Sequence, residues 1–156
     1  MLDINIKKLT ETAKIPTYGT DGAAAFDMYA DESDKATVCM QAPYMYYYVA
    51  PHKNVSVPTG IAMAIPKGYV GLLFSRSGWA RDESLRLANC VGVIDSDFRG
   101  NITVVVHNDS DVPRIVNPND RIAQMLIVKY EVANLILSDQ LDETERGTGG
   151  FGSTGR

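Results

Sequence analysis

Six short runs rich in β-branched and aromatic residues recur along the chain, over residues 24–29, 44–49, 61–65, 69–74, 102–107 and 122–130. Runs of this length suit strands and are too short for most helices. Turn formers close them off: Pro58, Pro66-Lys67-Gly68, Phe98-Arg99-Gly100 and Asn117-Pro118-Asn119-Asp120. The rhythm predicts an all-β fold, a compact sandwich or jelly roll with little helix. One segment interrupts it. Ser77-Gly78-Trp79-Ala80-Arg81-Asp82-Glu83 has poor β character, and the serine at its start is placed to cap a short helical turn.

A chain of 156 residues can bury one real core. We expect a single domain over residues 1–145 and a flexible arm over residues 146–156, where glycine is abundant. The net charge of -4 argues against the DNA or RNA backbone as main partner, because such binding rests on clustered Lys and Arg. A small phosphorylated ligand needs only a few local cations. Cys39 and Cys90 lie far apart with no CxxC spacing, which suggests neither a disulfide framework nor a zinc site. The start, Met1-Leu2-Asp3-Ile4-Asn5, has no signal-peptide pattern, and no apolar run approaches membrane-spanning length. A cytoplasmic protein without a membrane partner is expected.

Five segments could carry chemistry. In the glycine-rich end, backbone amides can approach phosphate oxygens closely, Arg146, Ser153 and Thr154 offer charge and hydroxyls, and Phe151 offers a flat face. By composition alone it is a loose tail, and it is no P-loop, since GxxxxGK[ST] is absent. In Phe74-Ser75-Arg76-Ser77-Gly78-Trp79-Ala80 a strand runs into a turn whose amides favour an anion, with Arg76 as a forked cation; the plain alternative is a capped turn with a surface arginine. The stretch from Asn89 through Val93, Ile94, Asp95 and Asp97 to Phe98 and Gly100 mixes apolar residues with turn formers and acids. A hairpin there would offer main-chain donors and acceptors to a pyrimidine edge, and Asp95 could orient a water; Asp95 and Asp97 are otherwise ordinary turn residues. Asp27, after Ala23-Ala24-Ala25-Phe26, and Gln124, in Asp120-Arg121-Ile122-Ala123-Gln124, are weak signals singly. His52 and His107 show no metal-ligand spacing and are expected to be structural or surface residues. A metal, if used, should be hard and oxygen-bound, hence magnesium carried on phosphates. Residues 31–53 hold four of the eight tyrosines, in Tyr44-Met45-Tyr46-Tyr47-Tyr48, and predict an extra hairpin whose rings cover sheet or subunit surface.

Taken in order, these segments resemble the five motifs of the trimeric dUTP diphosphatase (dUTPase) family: Ala23-Ala24-Ala25-Phe26-Asp27-Met28-Tyr29, Ser75-Arg76-Ser77-Gly78-Trp79-Ala80, Gly92-Val93-Ile94-Asp95-Ser96-Asp97-Phe98-Arg99-Gly100, Asp120-Arg121-Ile122-Ala123-Gln124, and the glycine-rich run from Arg146 to Gly155. The resemblance implies a jelly roll, a homotrimer with shared active sites, and hydrolysis of dUTP to dUMP and pyrophosphate, which keeps uracil out of DNA and supplies dUMP for dTMP synthesis. It implies that Asp95 holds the attacking water. Asn89, Val93 and Ile94 would lie at the uracil pocket, with Phe98 beneath the deoxyribose. Arg76, Ser77, Gly78 and Gln124 would meet the phosphates, and Asp27 would reach Mg2+ through a water. The arm, with Arg146, Phe151, Gly152, Ser153 and Thr154, would close over the nucleotide. Ser75 stands where proline is usual, Ala25 where glycine is common, and Phe98 where tyrosine is usual.

Two other readings compete. The related dCTP deaminases need a glutamate on the strand after the third motif, where Val105 stands here, and a valine cannot shuttle protons. A nucleotide-gated interaction protein would use the same dUTP site and contact a partner through the tyrosine-rich insertion.

Overall fold

The computed structural model describes residues 2–32, 38–41 and 44–153. Its strands are β1 (Asn5–Lys8), β2 (Thr17–Tyr18), β3 (Phe26–Tyr29), β4 (Val38–Gln41), β5 (Tyr44–Val49), β6 (Asn54–Pro58), β7 (Ile61–Ala64), β8 (Tyr69–Phe74), β9 (Leu85–Leu87), β10 (Val91–Ile94), β11 (Thr103–Asn108), β12 (Arg114–Val116) and β13 (Arg121–Lys129). All their pairings are antiparallel. They form a five-stranded sheet in the order β10-β8-β13-β3-β2, two three-stranded sheets, β6-β11-β9 and β12-β5-β4, and the pair β1-β7. This is the all-β, jelly-roll body that the strand rhythm and the resemblance predict.

Alternation produces the core. In β11, Val104, Val106 and Asn108 point inward, while Thr103, Val105 and His107 face outward or sit half-buried. Such alternation is what a sheet packed on one face requires. With Met28, Val57, Ile61, Ile102, Ile122 and Met125, each at most 1% exposed, these valines build one continuous apolar cluster.

The predicted helical turn is present, but its cap is not the predicted one. Trp79–Glu83 forms a single π-helical turn with Gly78 at the N-cap position and no side-chain cap. The backbone supplies the closure: Ala80 N–H donates to the Arg76 carbonyl and Ser84 N–H to that of Trp79. Ser77 therefore does not serve as the cap, and it is exposed. Its neighbour Ser75 does bind backbone, its hydroxyl accepting the Leu87 N–H at 2.9 Å. That bond ties the end of β8 to β9.

The tyrosine-rich insertion is a hairpin, β4-β5, with β12 on its other side. Its rings do not all cover surface. Tyr47 is fully buried and its hydroxyl donates to the Asp31 carbonyl, whereas Tyr48 is 44% exposed. Inward and outward tyrosines alternate because successive strand residues face opposite sides.

One glycine is required by both conformation and space. Gly60 has φ of +66°, and a β-carbon there would stand 2.4 Å from an Asp31 carboxylate oxygen and 2.6 Å from Ala13 Cβ. That carboxylate is itself fixed by the hydroxyls of Thr10 and Thr12 at 2.7 and 2.6 Å. Gly60→Ala is expected to lower stability by about 2 kcal/mol or more, since strain in the left-handed region adds to overpacking. A denaturant midpoint equal to that of the unsubstituted protein would refute this.

After Lys129 no further strand occurs among the described residues, and residues 129–148 are exposed throughout. No helix among the described residues is long and apolar enough to cross a membrane.

Candidate functional site

A β-bulge gives the site its layout. β13 pairs with β3 in a register that shifts between Arg121, opposite Tyr29, and Ala123, opposite Met28. The extra residue lets Ile122 and Ala123 both turn into the core. It also puts Arg121 and Gln124 on the same face, though residues three apart on a regular strand point to opposite faces. Gln124 lies opposite Asp27 on one side and Phe74 on the other. The outer face of the five-stranded sheet thus carries Asp27, Arg121, Gln124 and Phe74 together at one end of the strands.

The loop after β8 completes this end. Arg76 Nε donates to Asp27 Oδ1 at 2.9 Å, and Arg121 Nη1 approaches Asp27 Oδ2 at 3.3 Å. Gln124 Nε2 donates to the Ser75 carbonyl at 3.0 Å, which leaves its other N–H for a ligand. Asp27 is buried, with 12% of its side chain exposed, while the side chains of Arg76 and Arg121 are 24% and 52% exposed. Ser77 and Gly78 lie exposed just beyond Arg76. The two arginines line a cavity of about 360 Å³ with Trp79, Glu83, Asn117 and Asp120. Two forked cations beside exposed main chain suit phosphate oxygens. The structure thus brings the expected residues Asp27, Arg76 and Gln124 together and adds Arg121, which sequence reasoning did not single out and which only the bulge reveals.

The third segment lies at the other end of the same face. β10 runs antiparallel to β8, from Val91 opposite Phe74 to Ile94 opposite Gly71. Asp95 follows at the strand end, in a turn closed by Phe98 N–H to the Asp95 carbonyl at 3.2 Å. Arg99 Nη1 pins that turn through the carbonyls of Ser96 and Phe98, at 2.7 and 2.8 Å. The Phe98 ring lies so close over Gly100 that a β-carbon there would be 2.7 Å from its Cζ. Ile94 packs toward the core, whereas Val93 is 61% and Phe98 42% exposed. Asn89 sits exposed in the turn before β10, its carbonyl accepting the Val91 N–H. Asp95 lines its own cavity of about 720 Å³ with Ile65, Pro66, Lys67 and Tyr130. Four residue steps along β10 separate Val91, in the Asp27 row, from Asp95, or roughly 13 Å at about 3.3 Å per residue. Within one chain, Asp95 and the arginine cluster are not brought together.

The arm is apart from both. It curls on itself through Gly149 N–H to the Arg146 carbonyl, Arg146 Nε to the Gly149 carbonyl and Ser153 N–H to the Gly150 carbonyl. Arg146, Gly149 and Ser153 line a cavity of about 560 Å³ with Thr144 and Glu145, and the Phe151 ring is fully exposed. Gly152, at φ of +92°, makes part of the curl. Thr154 lies outside the described residues.

The donors fit a metal that arrives on a ligand. Among the described residues no three His, Cys, Asp or Glu side chains gather as a cage. Asp27 is a hard oxygen donor buried behind the two arginines, with both oxygens held by them, and a single carboxylate of this kind suits the hydration shell of a ligand-borne Mg2+ rather than a cage of its own. The histidines stand elsewhere: His52 pairs with Asp111 at 2.8 Å, and His107 contacts Asn54 and Asp109 at 2.6 and 3.2 Å.

Residues 11–155 match the dUTPase family model. The chain is 46% identical over 143 residues to the deoxyuridine 5'-triphosphate nucleotidohydrolase of Desulfitobacterium hafniense, covering 91% of this chain and 87% of that protein. Its identity to the Syntrophotalea carbinolica protein of the same name is 40% over 154 residues, covering 99% and 97%. A solved structure of the Staphylococcus bacteriophage 80alpha dUTPase with dUPNHPP superposes with a TM-score of 0.85 at 25% identity, over 100% of both chains. A family match over nearly the whole chain, relatives this similar and a shared fold lead to one conclusion: the chain belongs to the dUTPase family.

Proposed function

We infer that the chain hydrolyses dUTP to dUMP and pyrophosphate. The observation that carries this is the match to the dUTPase family from residue 11 to residue 155, which spans all five motifs. The outer-face geometry supports a division of labour. The Asp95 carboxylate orients a water and takes its proton as the oxygen attacks the α-phosphorus in line; the bond to the bridging oxygen breaks and pyrophosphate leaves. Arg76, the main chain at Ser77 and Gly78, and the free N–H of Gln124 hold the phosphate oxygens. Asn89 and the β10 main chain at Val93 and Ile94 read the uracil edge, with the Phe98 ring against the sugar. Mg2+, when bound with the nucleotide, would supply charge neutralisation, and Asp27 would be the residue to meet it through water. Val105 lies on β11, the strand after the third motif, where a deaminase would need a glutamate.

The active enzyme is a homotrimer with shared sites. The separation of Asp95 from the arginine cluster supports this reading, because a second copy can set its Asp95 end against the first copy's Asp27 end. The sheet itself supports it too. Its outer face carries Val70, Leu72, Phe74, Leu126 and Val128, all half-buried, with Val91 and Val93 exposed. An apolar face of this extent on a single chain marks an interface.

Purified protein should release pyrophosphate from dUTP in the presence of Mg2+, and ammonia from neither dUTP nor dCTP. Preference for dUTP over dTTP is expected to reach about a hundredfold in kcat/KM, since a pocket formed by the hairpin around β10 leaves no room for a 5-methyl group. Comparable values for the two nucleotides would refute the assignment of Asn89, Val93 and Ile94 to the base.

A further inference from the structure

Leu87 ends β9, the edge strand of the sheet β6-β11-β9. Toward β11 the backbone is satisfied, with Ala88 N–H donating to the Val105 carbonyl at 2.8 Å. The Leu87 N–H points the other way, because successive amides of a strand face opposite sides. Leu87 is 2% exposed, and a buried amide without an acceptor is costly. The Ser75 hydroxyl oxygen accepts it at 2.9 Å. Ser75 is half-buried, and its carbonyl accepts Gln124 Nε2 at 3.0 Å. One residue thus bonds both to the strand that leads into the base turn and to a side chain assigned to the phosphates.

The turn after Leu87 is strained. Cys90 has φ of +61° and is bridged by Val91 N–H to the Asn89 carbonyl at 2.6 Å. A bond from residue i to i+2 across a positive φ is the rare, strained kind of γ-turn. Such a conformation persists only where its surroundings hold it. Pairing of β10 with β8 holds one side. Leu87 holds the other, its carbonyl accepting Cys90 N–H at 3.3 Å and Arg86 Nη1 at 3.1 Å. Asn89 rides on this turn, with its Nδ2 3.7 Å from where a β-carbon on Gly92 would lie, so its aim depends on where Leu87 sits. We propose that Ser75 is a positioning residue that joins the base half of the site to its phosphate half, through Leu87 on one side and Gln124 on the other. The joint rests on the dUTP reading of the site. It makes correct reading of the base depend on a residue that touches no part of the nucleotide.

The test is the ratio of kcat/KM for dUTP to that for dTTP, measured on the full chain with Mg2+ beside thermal denaturation. Ser75→Ala and Ser75→Val, which remove the acceptor, should lower that ratio by about tenfold. Ser75→Thr has the shape of the valine variant and keeps the hydroxyl, and should hold the ratio within about twofold of the unsubstituted protein. Gln124→Met should lower it by about threefold. A phosphate contact common to both nucleotides would otherwise cancel from the ratio. Should the variants at residue 75 fail to fold, Gln124→Met carries the test alone. A lower melting temperature with an unchanged ratio in Ser75→Ala or Ser75→Val, or an unchanged ratio in Gln124→Met, would overturn the joint while leaving the dUTP reading intact. Failure of the unsubstituted protein to release pyrophosphate from dUTP would overturn that reading and the joint with it.

Discussion

Asp95→Asn is expected to bind nucleotide almost normally and to lose about 100- to 10,000-fold in kcat. The substitution keeps the size and planarity of the side chain and removes only its capacity to take a proton from water. Binding should survive because the groups assigned to the phosphates, Arg76 and Gln124, and to the base, Asn89, Val93 and Ile94, are left in place and the shape of the site is kept. The turn that carries residue 95 should also survive. It is closed by main-chain atoms and by Arg99 on the carbonyls of Ser96 and Phe98, and none of these contacts uses the Asp95 carboxylate. Single-turnover hydrolysis of dUTP, paired with titration of dUPNHPP, separates chemistry from binding. Normal turnover in this variant would remove Asp95 from the mechanism, and an equal loss of affinity would assign it to binding instead.

The sequence makes strands legible where burial on one face imposes alternation or where both faces are apolar. The expected runs at 44–49 and 69–74 coincide with β5 and β8, and those at 61–65, 102–107 and 122–130 differ from β7, β11 and β13 by a residue at one or both ends. β1, Asn-Ile-Lys-Lys, is hidden because all four residues are exposed and its pairing with β7 needs only backbone. β9 and β12, three residues each, are too short to show a period. The site divides in the same way. Asp27, Arg76 and Gln124 are legible as members of motifs, and the fold confirms that they share a neighbourhood. Arg121 is illegible, because period two places it opposite Gln124 until a bulge reverses it. Ser77 misled as a cap because a backbone bond at Arg76 closes the turn without any hydroxyl. The proposed division of the site between copies is invisible to periodicity, and rests instead on the distance between Asp95 and the arginines and on the apolar outer face.

Truncation after Glu145 is expected to leave a folded protein that has lost nearly all activity. Folding should persist because residues 146–153 contribute no strand and no residue of the core cluster; the arm's bonds run within itself and to neighbouring Thr144. A glycine-rich end of this kind adds almost nothing to a core. Activity should collapse for a separate reason. Closed over the nucleotide, the arm would bring the Arg146 guanidinium and the hydroxyls of Ser153 and Thr154 to the phosphates and would exclude bulk water, so its removal takes away charge stabilisation and positioning together. Phe151→Ala should give a milder form of the same defect, since it removes only the ring that would cover uracil, a ring fully exposed when the arm is curled on itself. Origin of the arm can be tested by mixing. Tail-less protein and Asp95→Asn protein, each inactive, should regain activity when unfolded together and reassembled, provided Asp95 and the arm of one site come from different copies. Random assortment of equal amounts into a symmetric trimer then gives both intact parts to about one site in four. If each chain supplied its own Asp95 and its own arm, no mixture could restore a site, and activity would stay at the background of the two separate proteins. A tail-less protein that hydrolyses dUTP at the full-length rate would make residues 146–156 an ordinary chain end.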